Sequence, residues 1–392
     1  MHELLAAAEA IGPDVIADRR AIHEEPELMY EVHKTAGMVA QRLEALGIEA
    51  KTGVGRSGVV GILRGAGPGK TVLLRGDMDA LPIVEENDYA FCSKNRGIMH
   101  ACGHDAHTAV LMGAARLLAE RRDRFEGTVK FMFQPAEEGG AGALRMIEDG
   151  LLDDPKVDAA FAIHVDAFNY TGQICLRPGA SHAAADEFSI VIRGKGGHAA
   201  RPHAAVDPIV IASQIVTALQ TLSSREISPL DPVVITVGRL VAGTAFNVIP
   251  ETALIEGTIR SYSQHVQDLV ERRLQAMVKG IAEAMRAAAE IDYRRLYPPL
   301  YNHAEGIALL REVVTDVLSP EAVVEGEQGM GSEDFAFVLQ KVPGAMFRLG
   351  VRHKDWKTIR PTHSALFDMD ESALPLGVAV MAGTALRYLE TK

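Results

Sequence analysis

The chain has 392 residues, of which 47% are hydrophobic and 23% are charged, and this composition excludes an intrinsically disordered protein. The formal net charge of −12 disfavours a nucleic-acid-binding surface, which normally needs clustered lysine and arginine. No run of about 20 apolar residues predicts a membrane span. The odd set of three cysteines, Cys92, Cys102 and Cys175, suits a reducing compartment. We therefore expect a soluble cytoplasmic protein that binds neither nucleic acid nor membrane.

The first part of the chain predicts an α/β sheet. An amphipathic helix, rather than a signal peptide, is expected up to about Arg20, and a second helix over residues 34–46. Apolar runs then alternate with helical patterns, with strands at 59–63, 71–75, 129–133 and 159–164 and helices at 107–120 and 142–149. Such alternation is typical of a mostly parallel sheet with helices on both faces.

The pattern changes after Pro178. From Glu187 onwards it predicts a strand, a helix at 205–223, two strands, a helix at 265–289 and a final strand. This β-α-β-β-α-β order is that of a ferredoxin-like α+β unit. From about Pro298 the chain returns to mixed patterns and ends in a helix at 374–389. We interpret the chain as a discontinuous α/β domain, residues 1–181 and 296–392, with a ferredoxin-like domain of residues 182–295 inserted into it.

The densest cluster of reactive side chains is MHACGHDAHT, residues 99–108, in which Cys102 and His104 flank one glycine before a helix. The spacing is too close for the paired ligands of a structural zinc module. Taken alone, the cluster is compatible with metal binding, with a cysteine nucleophile and its histidine base, or with no functional role.

Two adjacent carboxylates, Glu137 and Glu138 of FQPAEEGG, follow a predicted buried strand. Ligands bind beyond the carboxyl ends of strands in open α/β sheets. One of the two carboxylates could bind a metal while the other accepts a proton from water. Alone, however, the pair is equally typical of a solvated turn.

Two further histidines lie at similar positions. His164 ends another apolar strand in AIHV, and His363 lies in the polar loop RPTHSALFDMD. A single histidine at a strand end is more often a hydrogen-bonded core residue than a ligand. Neither histidine identifies a site by itself.

Seven motifs in this order resemble the aminoacylase and carboxypeptidase family of di-metal hydrolases, and they extend over nearly the whole chain. The similarity is greatest to the branch of hippurate hydrolases, N-acyl-amino-acid amidohydrolases and auxin-conjugate hydrolases. The motifs are MHACGHDAHT, FQPAEEGG, AIHV, GKGGHAARPH, FNVIPETALIEGTIRS, GSEDFA and PTHS.

The resemblance implies a two-metal site that hydrolyses the amide bond of N-acyl amino acids. Glu137 is the implied general base, and the two divalent cations would be zinc, manganese, cobalt or nickel. The implied metal ligands are Cys102, as a bridging thiolate, and His104, Glu138, His164 and His363. The chain departs from much of the wider family in RGDMDALP, where Asp77 stands in place of a histidine ligand. We therefore expect Asp77 and Asp79 to support the ligands by hydrogen bonding.

For the inserted domain the resemblance implies roles in substrate binding, lid closure and dimerisation. His198 would help to stabilise the oxyanion, whereas Asn247 and Arg260 would contact the substrate, Arg260 through its α-carboxylate. Arg260 is also compatible with a plain surface position. In GMGSEDF, Glu333 is expected to support the site or to belong to a helix start that is capped by Ser332.

Three other functions remain open. The same metal site would serve a dipeptidase or carboxypeptidase-like exopeptidase. A cysteine hydrolase that uses Cys102 is a weaker alternative. A metal-free binding protein of the same fold is a third, although every expected ligand is present in the sequence.

Overall fold

The computed structural model describes residues 2–391, which divide into two compact units. The larger unit contains the chain up to Gly179, Tyr301–Glu327 and the chain from Asp334 onwards. The smaller unit contains Ala180–Leu300 and Gln328–Glu333. The predicted boundaries did not include this last short segment.

Sixteen strands form the sheets of residues 2–391. They are β1 (Glu49–Val54), β2 (Gly58–Arg64), β3 (Thr71–Asp77), β4 (Thr128–Gln134), β5 (Ala159–Tyr170), β6 (Ile174–Leu176), β7 (Gly179–His182), β8 (Ala184–Arg193), β9 (Gly197–His198), β10 (Val233–Ala242), β11 (Val248–Ile249), β12 (Thr252–Ser261), β13 (Ala288–Tyr297), β14 (Leu300–Asn302), β15 (Val323–Glu325) and β16 (Gly344–Arg352).

Ten α-helices accompany them in the described chain. They are α1 (His2–Ala10), α2 (Gly12–Glu24), α3 (His33–Ala45), α4 (His104–Ala119), α5 (Gly142–Glu148), α6 (Pro208–Thr221), α7 (Gln264–Ala284), α8 (Ala304–Val317), α9 (Ala336–Leu339) and α10 (Leu374–Glu390). The single helix expected before Arg20 is therefore two helices. A proline in the first turn of α2 is typical of a helix start.

The larger unit is built on an eight-stranded sheet in the order β1-β2-β4-β3-β5-β16-β6-β15. Its centre, β4-β3-β5-β16, is parallel, whereas β1 and β2 extend it by antiparallel pairing. All seven residues of β3 are buried, as expected for a central strand that is covered on both faces. The predicted α/β class with a mostly parallel sheet is confirmed.

The carboxyl-terminal helix α10 belongs to the core of the larger unit. By length and composition alone, Glu371–Glu390 is apolar enough to cross a membrane, but most of this segment is buried within the protein. Its apolar residues pack in the same cluster as those of α4 and β5. A core helix explains this composition.

The smaller unit is a four-stranded antiparallel sheet in the order β10-β12-β8-β13. Helices α6 and α7 supply apolar residues to a separate core against this sheet. The chain order β8-α6-β10-β12-α7-β13 and the sheet order are those of a ferredoxin-like unit, as predicted.

Candidate metal centre

The turn that leads into α4 presents Cys102 and His104 on either side of a glycine that no other residue could replace without strain. Gly103 has a φ of 84°, which is rarely adopted by residues with a side chain. A Cβ atom at Gly103 would also lie only 2.5 Å from Cγ2 of Val165. The glycine thus lets α4 begin at His104, three residues earlier than predicted, in close contact with β5.

The turn after β4 positions Glu137 and Glu138. It contains Ala136 at a φ of 54°. The buried carboxylate of Asp79 fixes the turn, because Oδ1 accepts the Glu137 N–H at 3.0 Å and Oδ2 accepts the Glu138 N–H at 3.1 Å. Asp79 therefore supports the two glutamates by hydrogen bonding, as expected from the sequence.

His164 is oriented by the backbone of its own strand. Its Nδ1 donates a hydrogen bond to the Val165 carbonyl at 2.7 Å, and its Nε2 lies 3.5 Å from Sγ of Cys102. A neutral ring that donates from Nδ1 has its lone pair on Nε2. This arrangement is typical of a metal-binding histidine.

His363 reaches the same place from the loop before α10. It has a φ of 63°, and its N–H donates to the Ala101 carbonyl at 2.7 Å. Its Nε2 lies 3.3 Å from Oε1 of Glu138. A left-handed backbone at a non-glycine residue is often retained at functional sites.

The structure brings all five predicted ligands together within the larger unit. They form two groups that share Cys102, one with His104 and His164 and the other with Glu138 and His363, and the ligand atoms in each group lie within 4.8 Å of one another. Both ring nitrogens of His104 are buried and lie 3.5 and 3.4 Å from the carboxylates of Asp77 and Asp79 without a well-aligned hydrogen bond. Oε1 of Glu138 is likewise buried without a well-aligned donor. Buried polar atoms are normally satisfied. Divalent cations would satisfy these atoms, so the residues fit the implied metals.

Burial and neighbouring charges shift the pKa values of the candidate ligands strongly. Burial raises the pKa of the Cys102 thiol well above its usual range, and the Glu138 carboxylate raises it further. Burial opposes the charged form of His104, but the neighbouring acidic groups, with Asp77 foremost, together outweigh burial and raise the pKa of the imidazole. A bound cation would instead favour the thiolate form of Cys102, because a coordinating thiol is deprotonated.

His107, which lies one turn after His104 on α4, was not among the predicted site residues. Its Nδ1 is 2.5 Å from Oδ1 of Asp77, and its Nε2 accepts the Val165 N–H at 2.8 Å. Burial lowers the pKa of His107 to about 4, so the ring is neutral. The spacing of three residues from His104 could have indicated a shared helix face.

A second group of overlooked residues surrounds Arg75, which is fully buried. Its Nη1 lies 2.7 Å from Oδ2 of Asp77, and its Nε donates to Gln134 at 2.8 Å. Gln134 donates in turn to Asp334 at 2.6 Å.

The expected helix start at Ser332 is wrong, because α9 begins at Ala336 without a side-chain cap.

The remaining predicted residues lie in the smaller unit. His198 and Asn247 are both exposed, and they are neighbours because the Ala199 N–H donates to the Asn247 carbonyl at 3.1 Å. Nδ1 of His198 accepts the Ala200 N–H at 3.0 Å, which leaves the proton of a neutral ring on Nε2. Arg260 lies on β12, and its Nη1 donates to Thr258 and to the Ile259 carbonyl.

Comparison with known proteins identifies a family and several similar sequences. The model of peptidase family M20/M25/M40 matches residues 73–387. Thermostable carboxypeptidase 2 of Saccharolobus solfataricus is 42% identical over 95% of each chain. IAA-amino acid hydrolase ILR1-like 2 of Arabidopsis thaliana is 42% identical over 95% of this chain and 85% of its own. The N-acetyl-L-cysteine deacetylase of Bacillus subtilis is 38% identical over 96% and 88%.

A solved structure extends this similarity to the fold. The Bacillus subtilis protein YXEP, described as a dinuclear metal-binding peptidase of the M20 family, superimposes with a TM-score of 0.86 at 34% identity. The match covers 98% of this chain and 100% of that protein. The resemblance that the sequence motifs indicated is therefore confirmed.

Proposed function

The chain belongs to peptidase family M20/M25/M40, and on that premise we propose that it is a metal-dependent amidohydrolase of N-acyl amino acids. The reaction would release a carboxylic acid and a free amino acid. The observation that carries this proposal is the pair of ligand groups that share Cys102, with the carboxylate of Glu137 close to His104 and Glu138.

The chemistry divides between the cations and the protein. When bound, the two cations would supply a Lewis acid for the amide carbonyl and would lower the pKa of water. Glu137 is the proposed general base, which accepts a proton from the attacking water and returns it to the departing amine. Glu138 would be occupied as a ligand, since its Oε1 faces His363 and lies 3.9 Å from Nε2 of His104.

The donor set limits the choice of cation. It combines one thiolate, three imidazoles and one carboxylate. This mixture suits zinc, manganese, cobalt or nickel better than calcium or magnesium, which prefer oxygen ligands. We propose two such ions per subunit.

The smaller unit would supply the substrate contacts. The exposed His198 would donate from Nε2 to an oxyanion, since its Nδ1 already accepts a backbone N–H. Arg260 retains guanidinium N–H groups that suit the α-carboxylate of an acyl amino acid. Asn247, beside His198, would contact the substrate as well.

The test of the proposed function is a matched hydrolysis screen. N-acetyl and N-benzoyl amino acids would be assayed against free dipeptides of the same carboxyl-terminal residue, each after chelation and reloading with one cation. Faster hydrolysis of the acyl amino acids supports the proposal.

The other outcomes of this screen distinguish the alternative functions. Preference for the dipeptides would establish the exopeptidase alternative, which the similarity to a carboxypeptidase supports. Activity that resists chelation would favour the cysteine hydrolase. If the protein bound no metal and hydrolysed none of the substrates, the alternative of a binding protein would be favoured.

We further propose a cytoplasmic homodimer or higher homo-oligomer that forms through the smaller unit. Strand β10 is an edge strand, and Leu240 and Val241 on it are exposed by 44% and 46%. Phe246, in the following loop, is fully exposed. A second copy that pairs along β10 would cover both the strand edge and these apolar side chains. Val241→Glu should give a monomer by sedimentation velocity, whereas an unchanged assembly would contradict this surface.

A further inference from the structure

A continuous series of hydrogen bonds joins Asp77 on β3 to His164 on β5. Oδ1 of Asp77 accepts from Nδ1 of His107 at 2.5 Å, and Nε2 of His107 accepts the Val165 N–H at 2.8 Å. The carbonyl of Val165 then accepts from Nδ1 of His164 at 2.7 Å. The direction of each bond follows from the others, since Val165 N–H can only donate and its carbonyl can only accept.

We propose that His107 is a positioning residue, which fixes the Val165 backbone and thereby holds His164 in the orientation that binds metal. The proposal rests on the proposed function only in taking His164 as a metal ligand. His107 itself would bind no metal, although it lies within ligand distance of Asp77 and His104, because hydrogen bonds occupy both of its ring nitrogens.

The surroundings make His107 a rigid support. Asp77 and His107 are fully buried. Asp77 is held at its other oxygen by Nη1 of Arg75 at 2.7 Å. A Cβ atom at Gly76 would lie 2.8 Å from the His107 carbonyl, so glycine is needed for β3 and α4 to approach this closely.

Two amide substitutions at His107 should each keep one of its two ring hydrogen bonds and remove the other. In His107→Gln the longer side chain can place an amide oxygen near the position of Nε2 and still accept the Val165 N–H. In His107→Asn the amide reaches only the position of Nδ1 and can still donate to Asp77. Because the Val165 bond is the one that orients His164, we expect His107→Asn to weaken cobalt binding by about 10- to 100-fold. His107→Gln should stay closer to the wild type.

The matched control is Thr108→Val, which is equally buried on the same helix and loses a hydrogen bond to the Asp77 backbone rather than to its side chain. Cobalt affinity and the thiolate-to-cobalt absorption band would be measured without substrate, and the unfolding of each metal-free variant would be measured in parallel. A purely structural role would lower the stability of the metal-free variants and leave cobalt affinity as in Thr108→Val. That result would overturn the proposal, as would equal losses of affinity in both amide variants.

A measurement on the wild-type protein covers the case in which the variants do not fold. With nitrogen-15-labelled histidine and zinc bound, both His107 and His164 should carry their ring proton on Nδ1. A proton on Nε2 of either ring would overturn the proposal. Because no readout uses substrate, failure of amide hydrolysis would leave this inference intact, whereas wild-type protein that binds no cobalt would overturn both.

Discussion

Nε of Arg19 lies 2.7 Å from Oδ2 of Asp105, and neither side chain is exposed to solvent. The pair joins α2 to the first turn of α4, directly after the proposed ligand His104. The same oxygen of Asp105 accepts from Nδ1 of His23 at 2.7 Å. A buried group of charged side chains therefore lies next to the first residue of α4 in the candidate metal centre.

Removing one member of this buried pair should be costly. Arg19→Leu leaves Asp105 charged and without its guanidinium, and we expect a loss of about 3–5 kcal/mol in the free energy of unfolding. Arg20 is the matched control. Like Arg19 it pairs with Glu371, but its side chain is 47% exposed. Arg20→Leu should cost about 0–1 kcal/mol in denaturant titrations. Equal losses in the two variants would contradict the importance that we give to the buried pair.

The stability contributed by His23 should decrease as the pH rises. Burial opposes the charged form of His23, but the carboxylates of Asp105 and Glu85 together outweigh burial and raise the pKa of His23 above its ordinary value. The folded pKa therefore exceeds the unfolded value of about 6.5, so the stabilisation is complete below that pH and is lost as the pH rises through the folded pKa.

The comparison is between wild type and His23→Gln in denaturant titrations at several pH values. The difference in unfolding free energy should be larger at about pH 6 than at about pH 9, because the stabilisation is lost as the pH rises through the folded pKa. A difference that grows with pH would show that the folded pKa is lowered instead. The carboxylate beside it responds in the opposite direction, because Arg19 and His23 lower the pKa of Asp105 despite its burial.

The sequence brought out the candidate metal ligands more readily than the residues that surround them. The motifs that contain the proposed ligands are short and local, so their order along the chain and the family resemblance that they carry were sufficient to select the ligands. Contacts such as His23 with Asp105 join residues 82 positions apart and leave no local pattern. The early start of α4 also escaped prediction, since it depends on how closely Gly103 approaches Val165.

Arg260 should affect binding of substrates that carry a carboxylate. We expect Arg260→Ala to raise KM for an acyl amino acid by about tenfold or more, the loss of one hydrogen bond between charged groups. KM for the corresponding amide without the carboxylate should change little. Arg239→Ala is the control, since Arg239 lies in the same sheet and pairs with Glu256. An equal rise for both substrates would assign Arg260 a structural role.

The adjacent glutamates Glu137 and Glu138 should respond differently to the same isosteric change. Both follow β4, and their N–H groups bind one carboxylate, that of Asp79, so backbone geometry does not distinguish them. Glu138 faces His363 and shares a ligand group with Cys102. Glu138→Gln should therefore lose cation affinity, as measured by elemental analysis after dialysis against a weak chelator.

Glu137→Gln should keep both cations and lose turnover, because an amide cannot accept the proton of the attacking water. The expected decrease in kcat is about 100- to 10,000-fold, the range for removal of a general base, with KM little changed. The two properties must be measured on the same preparation, since loss of metal would also abolish activity. Near-normal kcat at full occupancy would remove Glu137 from the mechanism. Loss of metal in Glu137→Gln with retention in Glu138→Gln would exchange the two roles.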